Sequence, residues 1–180
     1  MKVIDLSMPL YTGMPVYDGD PQVTFDIVHT HETHSWELRQ LSLGSHTGTH
    51  VDAFSHMHKG QATLDDMPLE RFFGKAQAVT LHCDWPSNTG LLFVGDVGPG
   101  LAADIISRNP GFVGGNIHED LERILLGQGI VTYTNLVNLE LLPLGTAFMF
   151  YGLPLKIHAG DGSPIRAIAI LPGQQEDTGS

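Results

Sequence analysis

Residues 46–58, His46-Thr-Gly-Thr-His50-Val-Asp52-Ala-Phe-Ser-His56-Met-His58, constrain this chain more than any other stretch. Five side chains able to bind a metal or move a proton fall within thirteen positions, all at even numbers. Alternate side chains of an extended chain face opposite ways, so an extended path would aim all five in one direction. A helical path, turning about 100° per residue, would scatter them. Gly48, Thr49 and Val51 also disfavour helix. Imidazoles mixed with a carboxylate suit Zn²⁺, Mn²⁺ or Fe²⁺, which take nitrogen and oxygen ligands. The competing reading is a polar loop that happens to be His-rich. Low-complexity His tracts lack this spacing and the interleaved Gly and Thr.

The same residues bound the chemistry. Two His and one Asp (His46, His50, Asp52) leave coordination positions open, the pattern of a catalytic site; closed structural sites prefer thiolates and four protein ligands. A divalent metal there, Zn²⁺ or Mn²⁺, can lower the pKa of bound water to about 7 and polarise a carbonyl. His56, four residues past Asp52, is placed to take the water proton and return it to a leaving nitrogen. A metal-dependent lyase or isomerase that stabilises an enolate is the alternative within enzymes. Nucleophilic catalysis has little support. Cys83 follows an apolar strand beside His82 and reads as a buried thiol, and no GxSxG or HExxH motif occurs. GDVGPG (95–100) lacks the Lys and Ser/Thr of a phosphate-binding loop and reads as a turn.

Composition removes other classes. With 180 residues, 42% hydrophobic and 16% charged, the chain is long and apolar enough for one domain with a full core. The net charge of −11 argues against nucleic-acid binding, which needs clustered Lys and Arg. The single Cys83 fits a reducing compartment. The start, MKVIDLSMPL, is interrupted too soon to be a signal peptide, and no apolar run reaches the ~18 residues of a membrane span. A cytoplasmic protein acting on a small molecule is expected.

Neither linker nor repeat interrupts the sequence, so 1–180 reads as a single domain with a polar tail over 173–180. Strands are expected over 2–6, 23–28, 37–43, 75–82, 91–94, 130–133, 148–151 and 165–171. A short helical turn is expected over 64–73 and a helix over 98–108. A clearer helix over 116–127 would be capped by Asn116 and present Leu121, Ile124 and Leu125 as its apolar face. Together these define an α/β chain with a mixed sheet, barrel-like, and few helices. His29, His31 and His34 read as a surface hairpin edge, or, more sharply, as placing His34 or Trp36 at a substrate mouth. Tyr17 and Asp18, in the Pro/Gly loop 11–21, can form a lid or a surface turn.

At HTGTHVDAFSH (46–56), MPVYDGDP (14–21), LLGQGIVTYTNLVNL (125–139) and LPLKIHAGDGSPIRAIAI (153–170) the chain resembles the putative cyclase family of metal-dependent hydrolases, which includes bacterial kynurenine formamidases. The resemblance implies a swivelling β/α/β fold, a homodimer or higher homo-oligomer, and hydrolysis of a small amide, formamide or lactam C–N bond. It implies that His46, His50 and Asp52 bind metal and that His56 is the general acid/base. It reads Asp161, Ser163 and Arg166 mainly as a structural turn. Two positions depart from the family pattern: Glu122 stands where a His is usual and Thr134 where a Glu is usual. Glu122 remains a candidate cation ligand, as does His118 one helical turn before it. Thr134 is a poor ligand but a usable hydrogen-bond partner for substrate. Phe54 replaces a usual Pro and, with Tyr17 and Trp36, is a candidate substrate contact. The two replacements also leave open a non-catalytic metal- or ligand-binding relative.

Overall fold

The computed structural model describes residues 1–81 and 84–173. His82, Cys83 and the tail from 174 onward lie outside the described residues, and so do the readings made of them. The elements are β1 (Lys2–Asp5), β2 (Thr24–His29), α1 (His31–His34), β3 (Leu38–Ser42), β4 (His50–Asp52), β5 (Phe73–Val79), β6 (Gly90–Val97), α2 (Ala102–Ser107), β7 (Phe112–Ile117), α3 (Glu119–Gly127), β8 (Val131–Thr134), β9 (Ala147–Tyr151), β10 (Gly162–Pro164) and β11 (Ile168–Leu171). Short 3₁₀ turns cover Phe54–His56, Leu69–Phe72, Pro99–Leu101 and Leu139–Leu141.

Nine strands form one mixed sheet in the order β1-β11-β9-β5-β6-β7-β8-β4-β10. The central run β5-β6-β7-β8 is parallel and the flanking pairs are antiparallel. The connection from β10 to β11 sets the shape. These strands stand seven positions apart in the sheet, about 34 Å if it were flat at ~4.8 Å per strand. Only residues 165–167 join them, and four Cα steps of 3.8 Å reach at most about 15 Å. The sheet therefore curls until its two ends approach, which is the barrel-like form expected. Backbone bonds from Leu6 to Ala167 (2.9 Å) and from Ile165 to Thr49 (3.0 Å) stitch that closure.

Alternation along β6 divides the core. Leu91 and Phe93 pack outward with Ile105 of α2 and Leu121 and Leu125 of α3. Leu92 and Val94 pack inward with Tyr133, Phe150, Val51 and Phe112. A parallel strand covered on both faces reads as an unbroken apolar run, which is why its centre at 91–94 stood out in the sequence.

Several expectations are corrected. The helix expected from Asn116 begins at Glu119, because Asn116 is still in β7 and the cap is His118, whose side chain accepts from the Asp120 amide. The buried face of α3 is Leu121, Glu122, Leu125 and Leu126, while Ile124 keeps 39% of its surface exposed. Strand β7 was not expected at all, since Gly111, Gly114 and Gly115 mask its apolar pattern. The strand expected over 165–171 is β11 alone, since 165–167 form the closure segment, and β10 before it was not expected. β2 and β3 form a separate two-stranded ribbon. Its connection is the short helix α1 followed by Ser35 in a left-handed conformation (φ 68°), where a plain hairpin edge was expected.

Candidate active site

Four of the five even-numbered side chains converge, but not along one extended strand. His46 lies in a turn, His50 and Asp52 in β4, and His56 in the 3₁₀ turn that follows. Gly48 permits the bend into β4 through its positive φ of 64°. Thr49 fixes the bend, donating to the Asn135 carbonyl (2.6 Å) and accepting from the Met8 amide (3.0 Å). Gly162 of β10 lies against the His46 ring so closely that a Cβ there would collide with Cε1. His58, the fifth of the series, turns away to the Arg123 carbonyl (2.8 Å) and ties the turn to α3.

Asp52 is the hub and is fully buried. Its Oδ1 is 2.8 Å from His46 Nδ1 and 3.5 Å from His50 Nε2. His50 Nδ1 is 2.7 Å from the Gly48 carbonyl. Donation there leaves the Nε2 lone pair facing Asp52 and the cluster. The other edge of His46, Nε2, is 3.0 Å from Asp161 Oδ2, and His56 Nδ1 is 3.7 Å from the same oxygen. The His46 and His56 ring centroids are 3.8 Å apart. Among the described residues, His46, Asp52 and His56 form the group whose ligand atoms lie within 4.8 Å of one another, close enough to hold a metal ion. His50 borders this group through Asp52.

Electrostatics follow from burial and from these contacts. Burial alone would push the Asp52 carboxyl up, but His46 and His50 hold it well below the ordinary carboxylate range. Burial opposes a charge on His46, yet Asp52 and Asp161 outweigh it and raise the imidazole. His56 is lowered by burial and by its neighbour His46. Asp161 is lowered, because hydrogen bonds with His46 and Ser45 exceed the effect of burial. Behind Asp52 stands Glu122, pushed up to about 9 by burial and by the Asp52 charge.

The remaining candidates take different places. Glu122 is buried behind the cluster, with Oε1 3.3 Å from the Thr132 hydroxyl. Thr134 donates to Asp52 Oδ2 (3.2 Å). The His118 side chain is exposed and engaged with the first turn of α3. Phe54 is half-buried beneath the Arg71 guanidinium, 5.8 Å from its ring centroid. Tyr17 is exposed, its hydroxyl 3.4 Å from Glu119. Trp36 is exposed on the ribbon and donates to His29. Sequence reasoning missed Asp161 as part of this cluster, having read its turn as structural. Ser163 and Arg166 of that turn do serve the fold: Ser163 accepts from the Leu155 amide, and Arg166 grips Asp5 with two bonds. It also missed Thr132, whose only signal was a hydroxyl inside an apolar strand.

A curled mixed sheet carrying a buried carboxylate among histidines defines an α/β protein with a site fit for a metal ion. The chain belongs to the putative cyclase family, whose sequence profile matches residues 4–110. It is 29% identical over 207 aligned residues to the kynurenine formamidase of Salinibacter ruber, covering 93% of this chain and 97% of that protein. The structure of isatin hydrolase A from Labrenzia aggregata superposes with a TM-score of 0.82 at 20% identity, covering 93% of both chains. A potential metal-dependent hydrolase with cyclase activity superposes with a TM-score of 0.75 at 24% identity, over 93% of this chain and 96% of that one.

Proposed function

We propose that this chain is a metal-dependent hydrolase that uses water to cleave the C–N bond of a small amide, formamide or lactam. The observation that carries the reading is Asp52, a fully buried carboxylate whose Oδ1 is shared by His46 and His50. Imidazole and carboxylate donors fit a divalent cation such as Zn²⁺ or Mn²⁺. His46, His50 and Asp52 would hold it, with His56 at the same cluster. When bound, such an ion activates water and polarises a carbonyl.

The protein's own groups supply the rest. His56, with its pKa lowered by burial and by His46, is neutral near pH 7 and accepts a proton. It then passes that proton to the leaving nitrogen. Asp161, facing His46 and His56, orients both rings. Phe54 and Thr134 line the approach, and Tyr17 and Trp36 contact substrate from their loops. Glu122 lies behind Asp52, and His118 belongs to the helix cap, so the chain carries a single metal. Both positions where a second ion would need a His and a Glu are altered.

The substrate class rests on the formamidase and isatin hydrolase likenesses: an aryl formamide or a fused lactam. The protein acts as one domain over residues 1–180, in the cytoplasm, as a homodimer or higher homo-oligomer. No helix among the described residues is long and apolar enough to cross a membrane. The test is metal content per chain by elemental mass spectrometry, together with turnover of N-formylkynurenine and isatin in ¹⁸O-water. About one metal and solvent oxygen in the product support the reading. Turnover without solvent oxygen would instead indicate a lyase or isomerase. A bound metal with no turnover across an amide, lactam and ester panel would indicate a non-catalytic relative, the reading favoured by Glu122 and Thr134.

A further inference from the structure

The two oxygens of Asp52 live in different surroundings. Oδ1 faces His46 Nδ1 at 2.8 Å and His50 Nε2 at 3.5 Å. Oδ2 faces β8, where it accepts from the Thr132 hydroxyl at 2.9 Å and from the Thr134 hydroxyl at 3.2 Å. The antiparallel register of β4 and β8 dictates this. Asp52 is opposite Thr132 and His50 is opposite Thr134, and residues 132 and 134 share one face of β8. Thr132 is fully buried between Val131 and Tyr133. A buried hydroxyl without a partner costs about 1–3 kcal/mol, and valine would satisfy both the strand and the core. A threonine here therefore needs a reason, and the carboxylate supplies one.

We propose that Thr132 and Thr134 are positioning residues that pin Oδ2 of Asp52 to β8, so that Oδ1 alone is offered to the metal. Each hydroxyl has one proton, and both go to the same oxygen. The carboxylate is thereby prevented from swinging to a two-oxygen grip and presents one fixed donor beside His46 and His50. The Thr132 oxygen keeps lone pairs free, and Glu122 Oε1 stands 3.3 Å from it, so the clamp is itself backed by α3. At position 134, a residue that supplies no ligand now orients one. This inference rests on the metal reading above.

The test measures Zn²⁺ and Mn²⁺ dissociation constants by chelator competition for the full chain and for Thr132→Val, Thr132→Ser, Thr134→Val and the double valine variant. Groups that orient metal ligands are worth about 10–100-fold in affinity. Thr132→Val is expected to weaken binding within that range and Thr134→Val by about 3–10-fold, while Thr132→Ser stays within about threefold of wild type. Rescue by serine separates a hydroxyl clamp from a loss of packing, which serine would share. Thr134 is half-buried, so its valine variant carries the test if Thr132→Val does not fold. Wild-type and double-valine chains that each bind one ion with equal affinity overturn the clamp and leave the metal reading intact. A wild-type chain that takes up neither ion overturns both.

Discussion

Two histidine clusters lie close together in this sequence and differ in kind. On the ribbon, His29 and His34 stack at 4.0 Å, Trp36 donates to His29 at 2.9 Å, and Thr33 bonds His34 at 2.6 Å. All are exposed, or nearly so, and the partners are neutral groups. In the barrel, His46, His50 and His56 surround a carboxylate that has no contact with water. Removing an ionised carboxylate from water costs several kcal/mol, which opposite charge and hydrogen bonds must offset. The buried cluster is thus arranged for positive charge. The exposed one is an aromatic stack on a two-stranded ribbon, a unit that is marginal alone in water. Histidine count does not mark a metal site; a desolvated carboxylate among the rings does.

The sharpest way to break this contrast is to remove rings from each cluster. His50→Ala should reduce bound metal from about one per chain to near zero and turnover by about 10³-fold or more, because the ion supplies both the activated water and the polarised carbonyl. His29→Ala with His34→Ala should leave metal content and kcat unchanged, with any loss confined to KM through Trp36, which His29 holds. Elemental mass spectrometry and steady-state assay of both variants check this. Equal losses in the two would erase the distinction.

A smaller effect is expected at Asp161, which joins the buried cluster from its exposed rim. Asp161→Asn keeps an acceptor near His46 Nε2 and His56 Nδ1 but removes the charge that helps raise His46. Turnover should fall about 10–100-fold, as it does when groups orienting ligands are altered, with the metal retained. Asp65→Asn, which removes a comparable carboxylate–histidine pair with the exposed His158, should leave kcat and KM unchanged. Full activity in Asp161→Asn would return that residue to the mainly structural role first read from its turn.

Much of this was legible in the sequence, and the failures have physical causes. Alternation and apolar runs marked most strands, since each buries one or both faces. The 46–56 spacing marked the cluster although the path was misread: a turn, a three-residue strand and a 3₁₀ turn bring the side chains together where one extended strand was expected. β7 escaped notice because glycines interrupt its pattern, and its close packing demands them. At Gly115, with a φ of 138°, a Cβ would meet the Phe93 carbonyl. Asp161 and Thr132 were not legible, because both reach the site only through pairing with β4, from strands 110 and 80 residues further along the chain.

The effect furthest from turnover, and the one that most directly tests how burial separates carboxylates, is at Glu122. An unperturbed Glu titrates near 4.5, whereas here burial and the Asp52 charge push it up to about 9. Between those values the folded chain holds a proton that the unfolded chain has released. Stability of the metal-free protein therefore falls as pH rises from about 4.5 to about 9, and this contribution is flat above that. Gln has the shape of the protonated acid and does not titrate. In excess chelator, the melting temperature of Glu122→Gln should match wild type near pH 4.5 and exceed it by a margin that widens steadily as pH rises to 8, each 1 kcal/mol being worth ~2–4 °C in a chain of this length. Because the other titrating groups are common to both proteins, the difference between the two curves isolates Glu122. A difference that stays constant with pH would mean that Glu122 is already ionised in the fold. A second charge would then stand behind Asp52, and the core would tolerate two carboxylates where the contrast between the clusters allows one.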